Sequence, residues 1–107
     1  MAKNTRKDRG TALYEAVLQL RDADEARRFF EDLCSPTEQR SLEQRFDVAV
    51  YLIQGKVYSE ILEKTRTSSA TISRVRRNIV DNQAGGAMKE IIYRAGMAQR
   101  NESEEKE

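Results

Sequence analysis

Tyr58-Ser-Glu-Ile-Leu-Glu-Lys-Thr-Arg-Thr-Ser-Ser-Ala-Thr-Ile-Ser-Arg-Val-Arg-Arg-Asn78 is the stretch on which the reading of this chain turns. Its first part, roughly Tyr58 to Lys64, carries Ile61 and Leu62 as the apolar residues of a short helix. A polar turn, Thr65-Arg66-Thr67, leads to Ser68-Ser69, either of which can cap a second helix by accepting an amide hydrogen bond. At about 100° per residue, Ser68, Ile72, Val75 and Ile79 point one way. Ser69, Ala70, Ser73, Arg76 and Arg77 point the other way, with Arg74 at the flank. A short helix, a short turn and a second helix opened by small hydroxyl residues are the parts of a helix-turn-helix, here about 57–80.

The outer face of that second helix suits duplex DNA. The major groove is about 12 Å wide and admits one helix. Small residues at the helix start allow close approach to base edges. Ser69, Ala70 and Ser73 are therefore the candidate base readers: hydroxyls can donate or accept, and a methyl can touch thymine. Arg66, Arg74, Arg76 and Arg77 are the candidate phosphate contacts, which set affinity and register, with Ser59 and Thr67 as supporters. Residues 64–77 hold Lys64 and these four arginines and no acid, in a chain with 18 acids. A basic helical face can also be merely solvated, or can bind an acidic protein partner. A non-catalytic helical interaction module is the alternative reading.

Outward from this stretch the chain reads as helices throughout. Leu13, Ala16, Val17 and Leu20 recur at helical spacing from Thr11 onward, and Tyr14 and Leu18 add a second apolar row. So wide a face hints at a subunit interface. Asp22-Ala-Asp-Glu25 has the capping-box pattern and opens a second helix with Ala26, Phe29, Phe30 and Leu33 apolar, ending near Cys34. Ser35-Pro36-Thr37-Glu38 opens a third, with Ser as cap, Pro in the first turn and Glu placed to cap back. That helix runs to about Gln54. Leu42, Phe46, Ala49 and Ile53 form one stripe, which Val48 and Leu52 widen, and Gly55 suits the left-handed position after its end. Beyond Asp81-Asn-Gln-Ala-Gly-Gly86 a last helix carries Met88, Ile91, Ile92 and Ala95. No strand pattern occurs. Residues 1–10 read as a disordered basic arm, able to lie along phosphates or in a minor groove or simply to be solvated. Residues 11–100 read as one helical domain, and residues 101–107 as a disordered acidic tail.

Composition excludes several classes. The chain has 107 residues, 35% of them charged, and a mean hydropathy of −0.78. A core of this size is small, so help from a second subunit is expected. No apolar run approaches the ~20 residues of a membrane span, and the first amphipathic segment is too polar for a secretory signal. There is no histidine and one cysteine, so no zinc site or Cys–His dyad is recognisable. Cys34 reads as a buried structural thiol, and Tyr51, Tyr58 and Tyr93 as core or boundary residues. Asp24-Glu25 and Glu31-Asp32 read as solvated surface. The expectation is a cytoplasmic protein that is not an enzyme and needs no metal or cofactor.

A family resemblance covers about residues 11–80. Leu33-Cys-Ser-Pro-Thr-Glu38, Ser41-Leu-Glu-Gln-Arg45, Gly55 and Ser69-Ala-Thr-Ile-Ser-Arg74, in this order and spacing, resemble the Trp repressor superfamily. Phe29-Phe-Glu-Asp-Leu33 and Ala70-Thr-Ile-Ser-Arg-Val75 are similar to its YerC/YecD branch. The resemblance implies an all-α, intertwined homodimer that offers a helix-turn-helix to each of two successive major grooves. It implies a transcriptional repressor on a two-fold symmetric operator.

The arginines that sandwich the corepressor in the Trp repressor match Arg45 and Arg74, and its Thr-Pro matches Ser35-Pro36. Arg45, Arg74 and Ser35 are thus candidates for binding an unknown small effector, the alternative for the arginines being ion pairs within the dimer. Two departures argue against L-tryptophan. Val75 replaces the glycine that follows the second arginine, and the loop after Gly55 is one residue shorter. Arg66 also stands where the family has its turn glycine, which predicts difficulty with a left-handed turn.

Overall fold

The computed structural model describes residues 5–81 and 86–99, and every regular element among them is helical. α1 spans Thr5–Val17, α2 Ala23–Leu33, α3 Pro36–Ile53, α4 Tyr58–Thr65, α5 Ser69–Arg76 and α6 Ala87–Arg94, with a π-helical turn, Arg77–Asp81, directly after α5. The chain divides into two compact units between Gln39 and Arg40, a point inside α3. α1 begins at Thr5, ahead of the expected start at Thr11, so part of the expected basic arm is helical. The rest of that arm and the acidic tail lie outside the described residues.

Local chemistry explains where the helices of the first unit begin. The Glu25 amide donates to Asp22 Oδ1 at 2.8 Å, as the capping-box pattern requires. The return bond differs from the expected one: Glu25 accepts from the Arg21 amide at 2.9 Å and from the Arg21 guanidinium at 3.2 Å, one residue before the cap. At α3 the box is reciprocal. The Glu38 amide donates to Ser35 Oγ at 3.2 Å, and the Ser35 amide donates to Glu38 Oε1 at 2.8 Å. Phe29 and Phe30 pack edge to face, ring centres 5.3 Å apart. No described side chain of this unit is buried; Leu18 is 80% exposed, Tyr14 69% and Leu33 54%.

The second unit contains the core. Val48, Ala49, Ile61, Ile72, Val75, Ile79 and Ile92 are buried, and Phe46, Val50, Leu52, Ile53, Leu62 and Met88 pack against them. The apolar stripe of α3 is therefore used unevenly, Val48 and Ala49 going fully inside while Leu42 stays 43% exposed. In α6 only Ile92 is buried, and Ile91 and Ala95 are exposed. Gly55 ends α3 at φ +84°, the Lys56 amide donating to Tyr51 O at 3.0 Å and the Gly55 amide to Leu52 O at 3.1 Å. That pair of bonds is a Schellman cap, and its left-handed residue favours glycine.

Candidate nucleic-acid interface

The helix-turn-helix is assembled from side chains that hydrogen-bond to backbone. Thr65, the last residue of α4, is buried; its hydroxyl donates to Ile61 O at 2.7 Å. Gln44 of α3 donates its side-chain amide to Thr65 O at 3.2 Å, satisfying a carbonyl at the helix end. Arg66 then takes the left-handed conformation, φ 57° and ψ 31°, its amide donating to Leu62 O at 2.9 Å. The expected difficulty is thus corrected: an arginine makes the glycine turn, held by the buried threonine on one side and the next helix cap on the other. Among the described residues Arg66 is the only non-glycine residue at positive φ. Such a conformation costs about 1–2 kcal/mol for an L-residue.

Ser68 is the cap of α5 and Ser69 its first residue, which resolves the two-serine ambiguity. Ser68 Oγ accepts from the Thr71 amide at 3.1 Å and lies 3.0 Å from Thr71 Oγ1. Ile72, Val75 and Ile79 go into the core, as the helical spacing predicts. Ser69, Ala70, Ser73, Arg74, Arg76 and Arg77 are all exposed, as are Ser59 and Arg66. Thr67 is half-buried, and its hydroxyl lies 2.9 Å from that of Thr65. Because Thr65 already gives its single hydroxyl hydrogen to Ile61 O, Thr67 is the donor in that pair, so its own hydrogen is engaged within the turn.

One positioning residue escaped the sequence reading. Tyr58 is 44% exposed and its phenol donates to Ser69 O at 3.2 Å, linking the starts of α4 and α5. A tyrosine at a helix start carries no sequence signal for this, because the bond depends on the angle between two helices. Tyr93 is also exposed and Tyr51 half-buried, with the Lys56 ammonium 5.6 Å from the Tyr51 ring centre. Cys34 is half-buried rather than buried.

Arg45 and Arg74 are both exposed, and neither forms an ion pair with a described side chain. Ser35 is exposed, its hydroxyl oxygen engaged by the Glu38 amide. Asp24, expected as plain surface, bridges Arg27 at 2.6 Å and Arg28 at 3.2 Å. No group of three or more potential metal ligands occurs among the described residues, and no described helix is long and apolar enough to cross a membrane.

Residues 10–95 match the family model described as Trp repressor protein. The chain belongs to the Trp repressor family. Within the family it is similar to the uncharacterised YerC protein of Bacillus subtilis (strain 168), 48% identical over 65 residues, which are 61% of this chain and 62% of that protein. The chain thus aligns with less than two thirds of that relative's length. A crystal structure of a TrpR-like protein from Eubacterium eligens ATCC 27750 superposes with a TM-score of 0.78 at 40% identity, over 91% of this chain and 100% of that one. A candidate Trp repressor from Staphylococcus aureus superposes at 0.76 with 35% identity, over 92% and 100%. The all-helical Trp repressor-like fold expected from the sequence is therefore the fold of this chain.

Proposed function

We propose that the protein is a sequence-specific DNA-binding regulator that acts as a homodimeric repressor on a two-fold symmetric operator. One observation carries the reading. The outward face of α5 is small and hydroxylated where the helix begins and basic where it ends, every one of these side chains being exposed. A helix with this gradient enters a major groove by its narrow end. Ser69, Ala70 and Ser73 then lie against base edges, while Arg66, Arg74, Arg76 and Arg77 neutralise phosphates. Ser59 adds a hydroxyl to the same contact. Thr67 acts inside the turn, as its hydroxyl hydrogen is already used there.

Family membership supports a regulator that binds DNA. The exposed Leu18, Tyr14 and Leu33 support the homodimer, since the first unit buries no described side chain of its own. An anionic small molecule fits Arg45 and Arg74, both of which lack a described counter-charge. L-tryptophan does not fit this reading. Val75, only 3% exposed, belongs to the core at the position where the Trp repressor has glycine. Calorimetric titration with L-tryptophan is expected to give no micromolar binding.

The deciding experiment is selection from a random duplex pool, run beside the Arg74→Ala/Arg76→Ala/Arg77→Ala variant. Enrichment of a two-fold symmetric motif with half-sites about one helical turn apart, lost in the variant, is the expected outcome. An equally enriched motif in the variant would sink the assignment of α5, and selective capture of an acidic protein with no DNA motif would favour the interaction module.

A further inference from the structure

We infer that the acidic segment 101–107 docks on the arginine face of α5 in the same chain and competes there with nucleic acid. Three observations converge. First, the charges are complementary. Segment 101–107 holds four acids, Glu102, Glu104, Glu105 and Glu107, and one base, Lys106, while Arg66, Arg74, Arg76 and Arg77 are exposed and ion-paired with no described side chain. Local neutralisation is the habit elsewhere: Arg21 pairs with Glu25, Arg27 and Arg28 with Asp24, and Arg94 with Glu90. Arg40 and Arg45 of α3 also lack a described partner, but α5 and its flanks concentrate four such arginines.

Second, the chain leaving α6 is tied to the end of α3, the helix that leads into the helix-turn-helix. The Met97 amide donates to Ile92 O at 3.0 Å, and Met97 O accepts from Gln54 Nε2 at 2.9 Å. Ala98 packs against the core. Gln54 lies just before the turn into α4, whose first residue, Tyr58, is hydrogen-bonded to the first residue of α5. Third, the segment is long enough to lie along the whole helix. Nine residues, as in 99–107, can span at most about 30 Å, whereas α5 is about 12 Å long.

Each carboxylate–arginine contact is weak alone at an exposed site. A short tether holds the segment at a local concentration of about millimolar, which populates contacts too weak to form between separate molecules. The consequence, which rests on the DNA-binding reading, is selectivity. Phosphate-only contacts with random duplex must displace the glutamates, whereas an operator adds base contacts that the glutamates cannot match.

The test compares the full chain with its Glu102→Gln/Glu104→Gln/Glu105→Gln/Glu107→Gln variant. Amide NMR shifts at low salt, without DNA, are expected to differ between the two at residues 66–77 and to converge at 0.5 M salt. Binding to random duplex at low salt is expected to tighten about three- to tenfold in the variant. Unmoved amides over 66–77 overturn the proposal, even if duplex binding tightens, because the change is then only one of net charge. Moved amides with no duplex bound by either form uphold the docking and remove the DNA-binding reading instead. Moved amides with unchanged duplex affinity overturn the competition.

Discussion

The phenol of Tyr58 donates a hydrogen bond of 3.2 Å to the backbone carbonyl of Ser69. These are the first residues of α4 and α5. With the Arg66 turn joining the opposite end of α4 to α5, the bond braces the pair of helices at a second point. In the proposed DNA complex, their relative angle sets whether the serines of α5 reach base edges while its arginines reach phosphates.

Tyr58→Phe keeps the ring and removes the bond. An exposed hydrogen bond of this kind is worth about 0.5–1.5 kcal/mol, and the low end applies here. The expected result is a small fall in melting temperature and a several-fold loss of affinity for the selected DNA motif. Thermal unfolding and fluorescence anisotropy on the same sample check it; unchanged affinity would make the bond a local ornament of the turn.

Arg66→Gly separates stability from binding. Glycine removes the left-handed strain of about 1–2 kcal/mol but adds about 0.5–1 kcal/mol of unfolded-chain entropy. The net expectation is a stabilisation of up to about 1.5 kcal/mol, which is a few degrees in melting temperature. Duplex affinity should fall at the same time, with a shallower dependence on salt, because the phosphate contact proposed for Arg66 is lost. A variant that melts lower, or that binds duplex as tightly as before, contradicts the roles given to Arg66.

The capping carboxylates predict an acid limb to the stability profile. The Ser35 amide and then its hydroxyl hold Glu38 below the ordinary glutamate value of 4.5, and the Arg21 guanidinium and then its amide do the same for Glu25. A depressed carboxylate contributes stability above its unfolded pKa, and that contribution fades as pH falls below about 4.5 through the lower folded value. Asp47 has the opposite sign. Burial first, and Glu43 one turn earlier second, push it above 3.8, so its ionisation opposes folding as pH rises past that value. Glu38→Gln should flatten the acid limb, and Asp47→Asn should raise the urea midpoint at pH 7. Urea titrations between pH 3 and pH 7 read both, and an unchanged acid limb in Glu38→Gln would refute the capping assignment.

Leu18→Glu tests the proposed subunit interface. In an isolated chain this side chain is 80% exposed, and a surface substitution there should change stability by no more than about 0.5 kcal/mol. In a dimer that buries it, a charge costs several times more. Sedimentation is expected to move to the monomer mass, with loss of motif binding, while the exposed control Asp32→Ala leaves both intact. A dimer that survives Leu18→Glu places the interface elsewhere.

What the sequence determined by itself is what depends on neighbours within one or two helical turns. The Ser35 and Glu38 cap, the glycine end at Gly55, the burial of Ile72, Val75 and Ile79 and the basic outer face of α5 all follow from spacings of three or four residues. Tertiary structure alone decided the rest. Whether Leu42 or Val48 of one apolar stripe is covered depends on which helices pack there, and periodicity marks the stripe without choosing within it. The left-handed Arg66 runs against local preference and is held by the buried Thr65 and by Gln44 from another helix. The bonds of Tyr58 to Ser69 and of Gln54 to Met97 join residues whose separation along the chain carries no period. Such contacts depend on helix crossing angles, which arise from the packing of whole faces and have no signature in any single segment.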